Sequence, residues 1–288
     1  MPTFDTPEPI SVTVEIGVGD IRIVASDRTD TIVEVRPSNS AKKSDVTAAE
    51  QTRVEYSGGR LMIKAPKGWR QYTFRGGGES IDVQIDLPAG SHLRGVAAVA
   101  ALHCTGRLGE CHFKTSAGDL RVAETGAVQL KTAGDITVGH AVGHAEITTA
   151  SGAVRVERID GTAVVKSANG DAWIGAITDD LRVSSANGNI VVEQAQATVG
   201  AKTAKGDIRL REVSHGAVVA ETAFGKVEIG IRDGVAAWLD LNTGHGTVHS
   251  DLDSVERPDA GEQAVEVRAR TAFGDITIRR TPAPQTTR

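Results

Sequence analysis

Short stretches of alternating apolar and polar residues run along most of the chain, and one small motif recurs between them. The motif reads small-polar, Ala, any residue, Gly, Asp or Asn, then apolar-any-apolar, as in Thr203-Ala-Lys-Gly-Asp-Ile-Arg-Leu210. Alternation with a period of two is typical of strands that are buried on one face. The pattern therefore predicts many short strands with glycine corners, and little helix.

The motif glycine returns at a nearly constant spacing. It falls at positions 118, 134, 152, 170, 188, 206, 225, 246 and 274, so four consecutive steps are 18 residues long. Stacked coils need equal perimeters to keep their corners in register, whereas the hairpins of an antiparallel meander tolerate unequal lengths. The spacing favours an all-β, single-stranded β-solenoid (β-helix-like) with coils of about 18 residues over the meander.

The corner positions form a ladder along the chain. Glycine there supplies positive φ or close approach, and the Asp or Asn that follows it can bond the local backbone. Calcium-binding β-rolls repeat several Gly and Asp per turn, whereas this chain has one Asp or Asn per coil, so we expect a structural role. The corner ladder consists of Gly118, Asp119, Gly134, Asp135, Gly170, Asp171, Gly188, Asn189, Gly206, Asp207, Gly274 and Asp275.

The regions outside the regular repeat predict the ends of the fold. Residues 1–90 depart from the spacing and are interpreted as an N-terminal capping β region, continuous with solenoid repeats over 91–280 and a disordered tail over 281–288. Residues 38–52 form either a short helix that begins at Ser44 or a loop.

The last repeat step contains a predicted loop insertion at residues 252–264. The basic, proline-containing segment at residues 279–284 is expected to blunt the last strand edge. We therefore expect a monomer or small oligomer.

Composition narrows the classes of function. Aromatic residues make up 3% of the chain, which suits a thin interior of Val, Ile and Ala in which aromatic rings would not fit. The net charge is −5 and the basic residues are scattered along the sequence, which argues against nucleic acid as a partner.

The longest apolar stretch, Val96 to Leu102, is too short to insert into a membrane. The N-terminus has no leader pattern and two cysteines suggest no disulfide framework, so we expect a cytoplasmic protein.

Three sequence features also mark a family. They are Val18-Gly-Asp-Ile-Arg-Ile23, the strand from Asp82 to Leu87 running into Pro88-Ala-Gly90, and the Gly-Asp series from residue 118 to residue 275. In these features the chain resembles the bacterial DUF4097 family, whose members are called adhesins and are grouped with toastrack β-repeat domains. The resemblance spans nearly the whole chain. It implies a β-repeat fold, an adhesin-like role and a link to envelope stress.

One cluster of residue types could hold a metal. His103-Cys104 and Cys111-His112 supply imidazole and thiolate groups of the kind that bind zinc. Adjacent strand residues point to opposite faces, so a histidine and its neighbouring cysteine cannot converge on one ion without a bulge. We therefore expect two cysteines in the core, two exposed histidines and no metal or other cofactor.

No nucleophile elbow, P-loop or dinucleotide fingerprint occurs in the sequence. We therefore expect no enzyme, but a scaffold or binding module whose flat β faces or open ends meet a protein partner. The alternatives are a cell-surface adhesin that is exported without a leader, and a carbohydrate-active β-helix enzyme.

Overall fold

The computed structural model describes residues 1–66, 79–252 and 264–282. The chain divides into two compact units, Met1–Val142 and Gly143–Arg288. Most of the predicted insertion and of the predicted tail lies outside the described residues. No helix in the described ranges is long and apolar enough to span a membrane.

The first unit is built from strands and one helix. In chain order these elements are β1 (Thr3–Asp5), β2 (Ser11–Ser26), β3 (Asp30–Pro37), α1 (Lys43–Gln51), β4 (Arg53–Ser57), β5 (Arg60–Lys64), β6 (Ile81–Pro88), β7 (His92–Arg107), β8 (Cys111–Lys114), β9 (Leu120–Thr125), β10 (Val128–Thr132) and β11 (Ile136–Val142).

The described part of the second unit consists of strands. They are β12 (Ala145–Thr149), β13 (Val154–Asp160), β14 (Ala163–Asn169), β15 (Ala172–Ile177), β16 (Leu181–Asn187), β17 (Ile190–Ala195), β18 (Val199–Lys205), β19 (Ile208–Val213), β20 (Ala217–Phe224), β21 (Val227–Arg232), β22 (Ala236–His245), β23 (Val248–Ser250), β24 (Ala264–Phe273) and β25 (Ile276–Thr281).

Strand pairing decides between the two predicted architectures. Strand β14 pairs with β16, and β16 pairs with β18, always in parallel and at the 18-residue step. The other strand of each coil pairs in the same way, from β15 to β17 to β19. Parallel pairing of equivalent strands confirms the solenoid and rules out the meander, whose neighbouring strands would be antiparallel.

In the first unit the parallel coils adjoin an antiparallel region. Strands β2 and β7 pair in parallel along most of their length, across the corner at Gly19. On its other side β2 pairs with β5 and β6, and these two strands meet β4 and β3 in antiparallel pairs. Of the two interpretations of residues 38–52, the helix is the one observed, and α1 packs beside β3.

The interior is a thin layer of small side chains. Inward positions stack directly in register, as Val165 on Val183 and Val183 on Ala201, and all three are almost fully buried. The expectation that aromatic rings would not fit is wrong at Phe113, which is 2% exposed. Gly95 makes room for this ring, because a Cβ atom at that position would lie 2.3 Å from Cδ2 of Phe113.

The last coils do not stack in sequence order. Strand β24 pairs with β20 on one side and with β22 on the other, so the coil formed by β22 and β23 lies outermost among the described strands of this unit. Strand β25 likewise lies between β21 and β23. The prediction that the segment beginning at Arg279 blunts the last edge is therefore wrong for its described part. Arg279 instead forms an ion pair with Glu228 of β21, at 2.8 Å.

Inward-facing threonines connect the coils in a second ladder. Oγ1 of Thr203 donates to the carbonyl oxygen of Gly188 in the preceding coil at 3.1 Å, and Oγ1 of Thr222 donates to that of Gly206 at 3.0 Å. Ser185 occupies the equivalent position one coil earlier, but its buried hydroxyl has no hydrogen-bond partner in the described structure. The same residue position therefore forms an inter-coil bond in some coils and carries an unsatisfied hydroxyl in two others, at Ser167 and Ser185.

We expect Thr203→Val to lower the free energy of unfolding by about 1 kcal/mol, because it removes one inter-coil hydrogen bond and keeps the side-chain volume. Ser185→Ala is the matched control, and it should be neutral or stabilising since it removes a hydroxyl that is buried without a partner. Urea unfolding of both variants measures the difference. Equal destabilisation by the two changes would contradict the assignment of these bonds.

Candidate functional site

The cysteines and histidines of the possible metal site separate to different faces. Cys104 and Cys111 are free thiols buried in the core, whereas His103 is exposed and His112 is half-buried on the outer surface. The hydrogen bond between the two thiols, together with burial, raises the pKa of Cys104. Nowhere in the described ranges do three or more His, Cys, Asp or Glu side chains meet in a group that could hold a metal ion.

The corner ladder joins successive coils through its side chains. Oδ1 of Asp171 accepts a hydrogen bond from the backbone N–H of Asn189 at 2.7 Å, and Oδ1 of Asn189 accepts one from that of Asp207 at 2.9 Å. The expectation of a local bond is therefore wrong for these residues, because the partner lies one coil away. In the last coils, bonds from the backbone N–H and hydroxyl of Thr247 lower the pKa of Asp275.

The glycines of the ladder show both predicted properties, positive φ at some positions and close approach at others. Gly170 and Gly188 have φ values of 139° and 149°, a backbone conformation that L side chains rarely adopt. Gly134 has no such φ, but a Cβ atom there would lie 2.6 Å from the carbonyl oxygen of Gly118. The ladder residues are thus occupied by holding coils together, and the chemistry available for a ligand lies elsewhere.

An exposed row of rings lies at the motif position just before the corner glycine. We call Phe224, Phe273 and His245 the aromatic row. The ring centroids of Phe224 and Phe273 are 5.0 Å apart with planes 1° from parallel, and those of Phe273 and His245 are 4.7 Å apart. Phe224 is 55% exposed and Phe273 is 47% exposed. The row is a strip of stacked rings open to solvent, two of them apolar.

Strand register extends this row with polar side chains. Phe224 lies next to Lys205, which lies next to Asn187, and Nδ2 of Asn187 donates to Oδ1 of Asn169 at 2.8 Å. Sequence reasoning treated this motif position as variable and did not identify the row. The two Thr-Ala-Phe-Gly copies that end at residues 225 and 274 were the available signal, since parallel coils in register align their phenylalanines.

The match to a family model covers residues 8–279, and the family is described as Toastrack DUF4097. The chain belongs to this family. This confirms the resemblance seen in the sequence, and the matched range includes both the antiparallel region and the parallel coils. Among curated proteins, nothing matches the chain.

Solved structures with low sequence identity also match over almost the full length. A protein from Parabacteroides merdae is 11% identical, with 97% of this chain and 95% of that chain covered and a TM-score of 0.39. One from Bacteroides fragilis is 15% identical with the same coverage and a TM-score of 0.35. Both carry the name "putative adhesin".

A second surface of the second unit surrounds Trp173. Nε1 of Trp173 donates to Glu193 at 3.0 Å, and the guanidinium group of Arg155 lies 3.9 Å from the ring centroid. Arg155 also binds Glu157 at 2.9 Å, and Arg211 binds Glu193 at 3.2 Å. A glycosidase needs a protonated carboxylic acid beside a second carboxylate, whereas arginines engage both glutamates here. This surface is therefore an ion-paired patch.

The charges near the C-terminal strands are paired in the same way. Arg209 binds Glu228 at 2.7 Å, and this hydrogen bond is the main reason that the pKa of Glu228 is lowered. Arg279 contacts the same carboxylate oxygen at 2.8 Å. Among these surfaces of the second unit, the aromatic row is the one whose side chains remain open for a ligand.

Proposed function

We propose that the protein is a non-catalytic, adhesin-like binding module that contacts a protein partner through the aromatic row. The observation that supports this most strongly is the exposure of Phe224 and Phe273 in neighbouring coils. The fold does not require rings there, since Asn169, Asn187 and Lys205 hold the same position in other coils. Aromatic side chains are enriched in the buried centres of protein interfaces, so the row has the composition of a contact surface.

The non-catalytic part of the proposal is supported by the surface chemistry. The carboxylates around Trp173 are bound by arginines, and the sequence holds no motif for an activated nucleophile. The repeated residues that define the family pattern in this chain are corner and core residues. A binding role needs only a rigid frame and an exposed surface, and the stacked coils supply both.

The proposal predicts that Phe224→Ser/Phe273→Ser weakens adhesion without unfolding the protein. The probes are immobilised collagen, fibronectin and mucin, chosen as purified adhesion targets, and bound protein is measured by surface plasmon resonance. We expect the parent to bind at least one probe and the double variant to lose about tenfold or more in affinity, since buried aromatic anchors carry much of an interface's energy.

Asn169→Ser/Asn187→Ser is the matched control, because it changes the same row outside the rings. It should bind like the parent. A parent that binds none of the probes, or a double variant that binds as well as the parent, would overturn the assignment of the row. Incubating the parent with neutral and acidic polysaccharides should release no new reducing ends; their appearance would overturn the non-catalytic part.

We also propose that the protein is a monomer or small oligomer, which light scattering tests. Cell fractionation distinguishes the cytoplasm, which the sequence predicts, from the cell surface, where the adhesion targets used above are found. Recovery in a surface fraction would favour the exported adhesin instead.

A further inference from the structure

Basic side chains form a diagonal line across the outer face of the first unit, which we call the basic stripe. Its members lie on four strands, β5, β7, β8 and β10, and point away from the core. All but one are exposed, and the remaining one, His112, is half-buried. The members are Arg60, His92, Arg94, His112, Lys114 and Lys131.

Strand register makes the stripe continuous. Arg60 and His92 pair with Ser11 of β2 from its two sides. Arg94 follows His92 by two residues and therefore points to the same face of the strand, and it pairs with His112 in β8. The same step repeats from β8 to β10, since Lys114 follows His112 by two residues and pairs with Lys131. With strands about 4.8 Å apart, the stripe extends roughly 20 Å across the sheet.

Within the part of the chain that the structure describes, the cations of the stripe have no carboxylate partner. Glu15 lies close to the stripe, but it is paired with Lys64 at 2.8 Å. Some exposed cations of the second unit have partners, as in the pair of Lys202 and Glu221 at 2.8 Å, but the stripe brings several unpaired cations together on one face. In a chain of net charge −5, a line of unpaired cations indicates an anionic ligand.

The shape of the stripe narrows the class of ligand. No aromatic side chain belongs to it, whereas proteins that bind single-stranded nucleic acid stack bases on aromatic rings. The stripe is narrow and is flanked by Glu15 and Glu110, which would repel a flat anionic membrane. A linear chain that carries repeated negative charges fits a narrow line of cations.

We propose that the basic stripe binds a linear acidic polysaccharide, with the arginines and lysines contacting carboxylates along the glycan. This goes beyond the proposed protein contact and uses different residues in a different unit, so the two proposals can fail separately. The histidines add hydrogen-bond donors along the same line, although Nδ1 of His92 already accepts the backbone N–H of Glu110 at 2.8 Å.

The test is binding of oligogalacturonides of defined length to the full chain, measured by calorimetry at low and high salt. The parent should bind them, should bind neutral oligosaccharides of equal length at least tenfold more weakly, and should lose affinity as salt screens the contacts. Arg94→Gln/Lys114→Gln/Lys131→Gln should weaken binding by about tenfold or more, the loss expected when three exposed charge contacts disappear.

The control is Lys43→Gln/Arg107→Gln/Arg121→Gln, which removes the same charge from exposed positions outside the stripe. It should bind within about twofold of the parent, since distant exposed charges are screened. Equal loss in both triple variants would reduce the effect to net charge and overturn the site. Absence of oligogalacturonide binding would also overturn the proposal. The same holds if the stripe residues are needed only for binding phosphatidylglycerol vesicles or single-stranded DNA and not for binding the glycan.

Discussion

Gly188→Ala is expected to destabilise the second unit by about 3 kcal/mol, through backbone strain and overpacking together. Gly188 has a φ of 149°, where a residue with a Cβ atom is strained. The added Cβ would also lie 2.1 Å from the carbonyl oxygen of Gly170 in the preceding coil. The clash is relieved only if the two coils separate at the corner. This separation would weaken the ladder bond from the N–H of Asn189 to Asp171.

Gly200→Ala is the matched control for this prediction. A Cβ atom there meets nothing closer than the carbonyl oxygen of Leu181 at 3.9 Å, and Gly200 is not among the glycines with positive φ. This change should be neutral or slightly stabilising, because alanine reduces the entropy of the unfolded chain. Thermal unfolding of both variants provides the comparison. If the Gly188 variant has the same melting temperature as the Gly200 control, the corner does not need glycine.

The coil architecture could be predicted from the sequence because the spacing of one residue type encodes a geometric requirement. Equal steps between Gly152 and Gly206 are needed if corners are to stack. The inward-facing valines and alanines follow from the same alternation. The direction of the Asp171 bond could not be predicted in this way, since a carboxylate at a corner can reach either its own turn or the next coil. The register of the two coils decides between these partners.

The spatial order of the last coils could not be predicted from the sequence, for a different reason. Reading the repeats in order places His245 between Phe224 and Phe273, whereas the structure places Phe273 in the middle. A periodic pattern identifies which positions are equivalent but not which coil is the spatial neighbour. The aromatic row depends on that neighbour relation, as does the basic stripe, whose members are separated along the chain. The Thr-Ala-Phe-Gly copies mark the two phenylalanines but not their neighbours, and the basic stripe follows no local motif.

A second large effect is expected where a buried carboxylate depends on one arginine. Glu212, whose side chain is 9% exposed, accepts a hydrogen bond from Nε of Arg232 at 2.8 Å, and Nη2 of Arg232 contacts the same oxygen. We expect Arg232→Met to lower the free energy of unfolding by about 2–3 kcal/mol, because it leaves a largely buried charge without its partner. The value is below that of a fully buried pair, since the arginine is 31% exposed.

Two variants separate the loss of this partner from the loss of a side chain. Arg268→Met removes an arginine from a more exposed pair, in which Nε lies 3.2 Å from Asp240, and should cost at most about 1 kcal/mol. The double change Arg232→Met/Glu212→Met should recover most of the loss, because replacing both ions leaves no unpaired charge in the fold. Urea unfolding measures all three proteins. If the double variant is no more stable than Arg232→Met alone, the destabilisation comes from lost packing of the arginine stem and not from the isolated carboxylate.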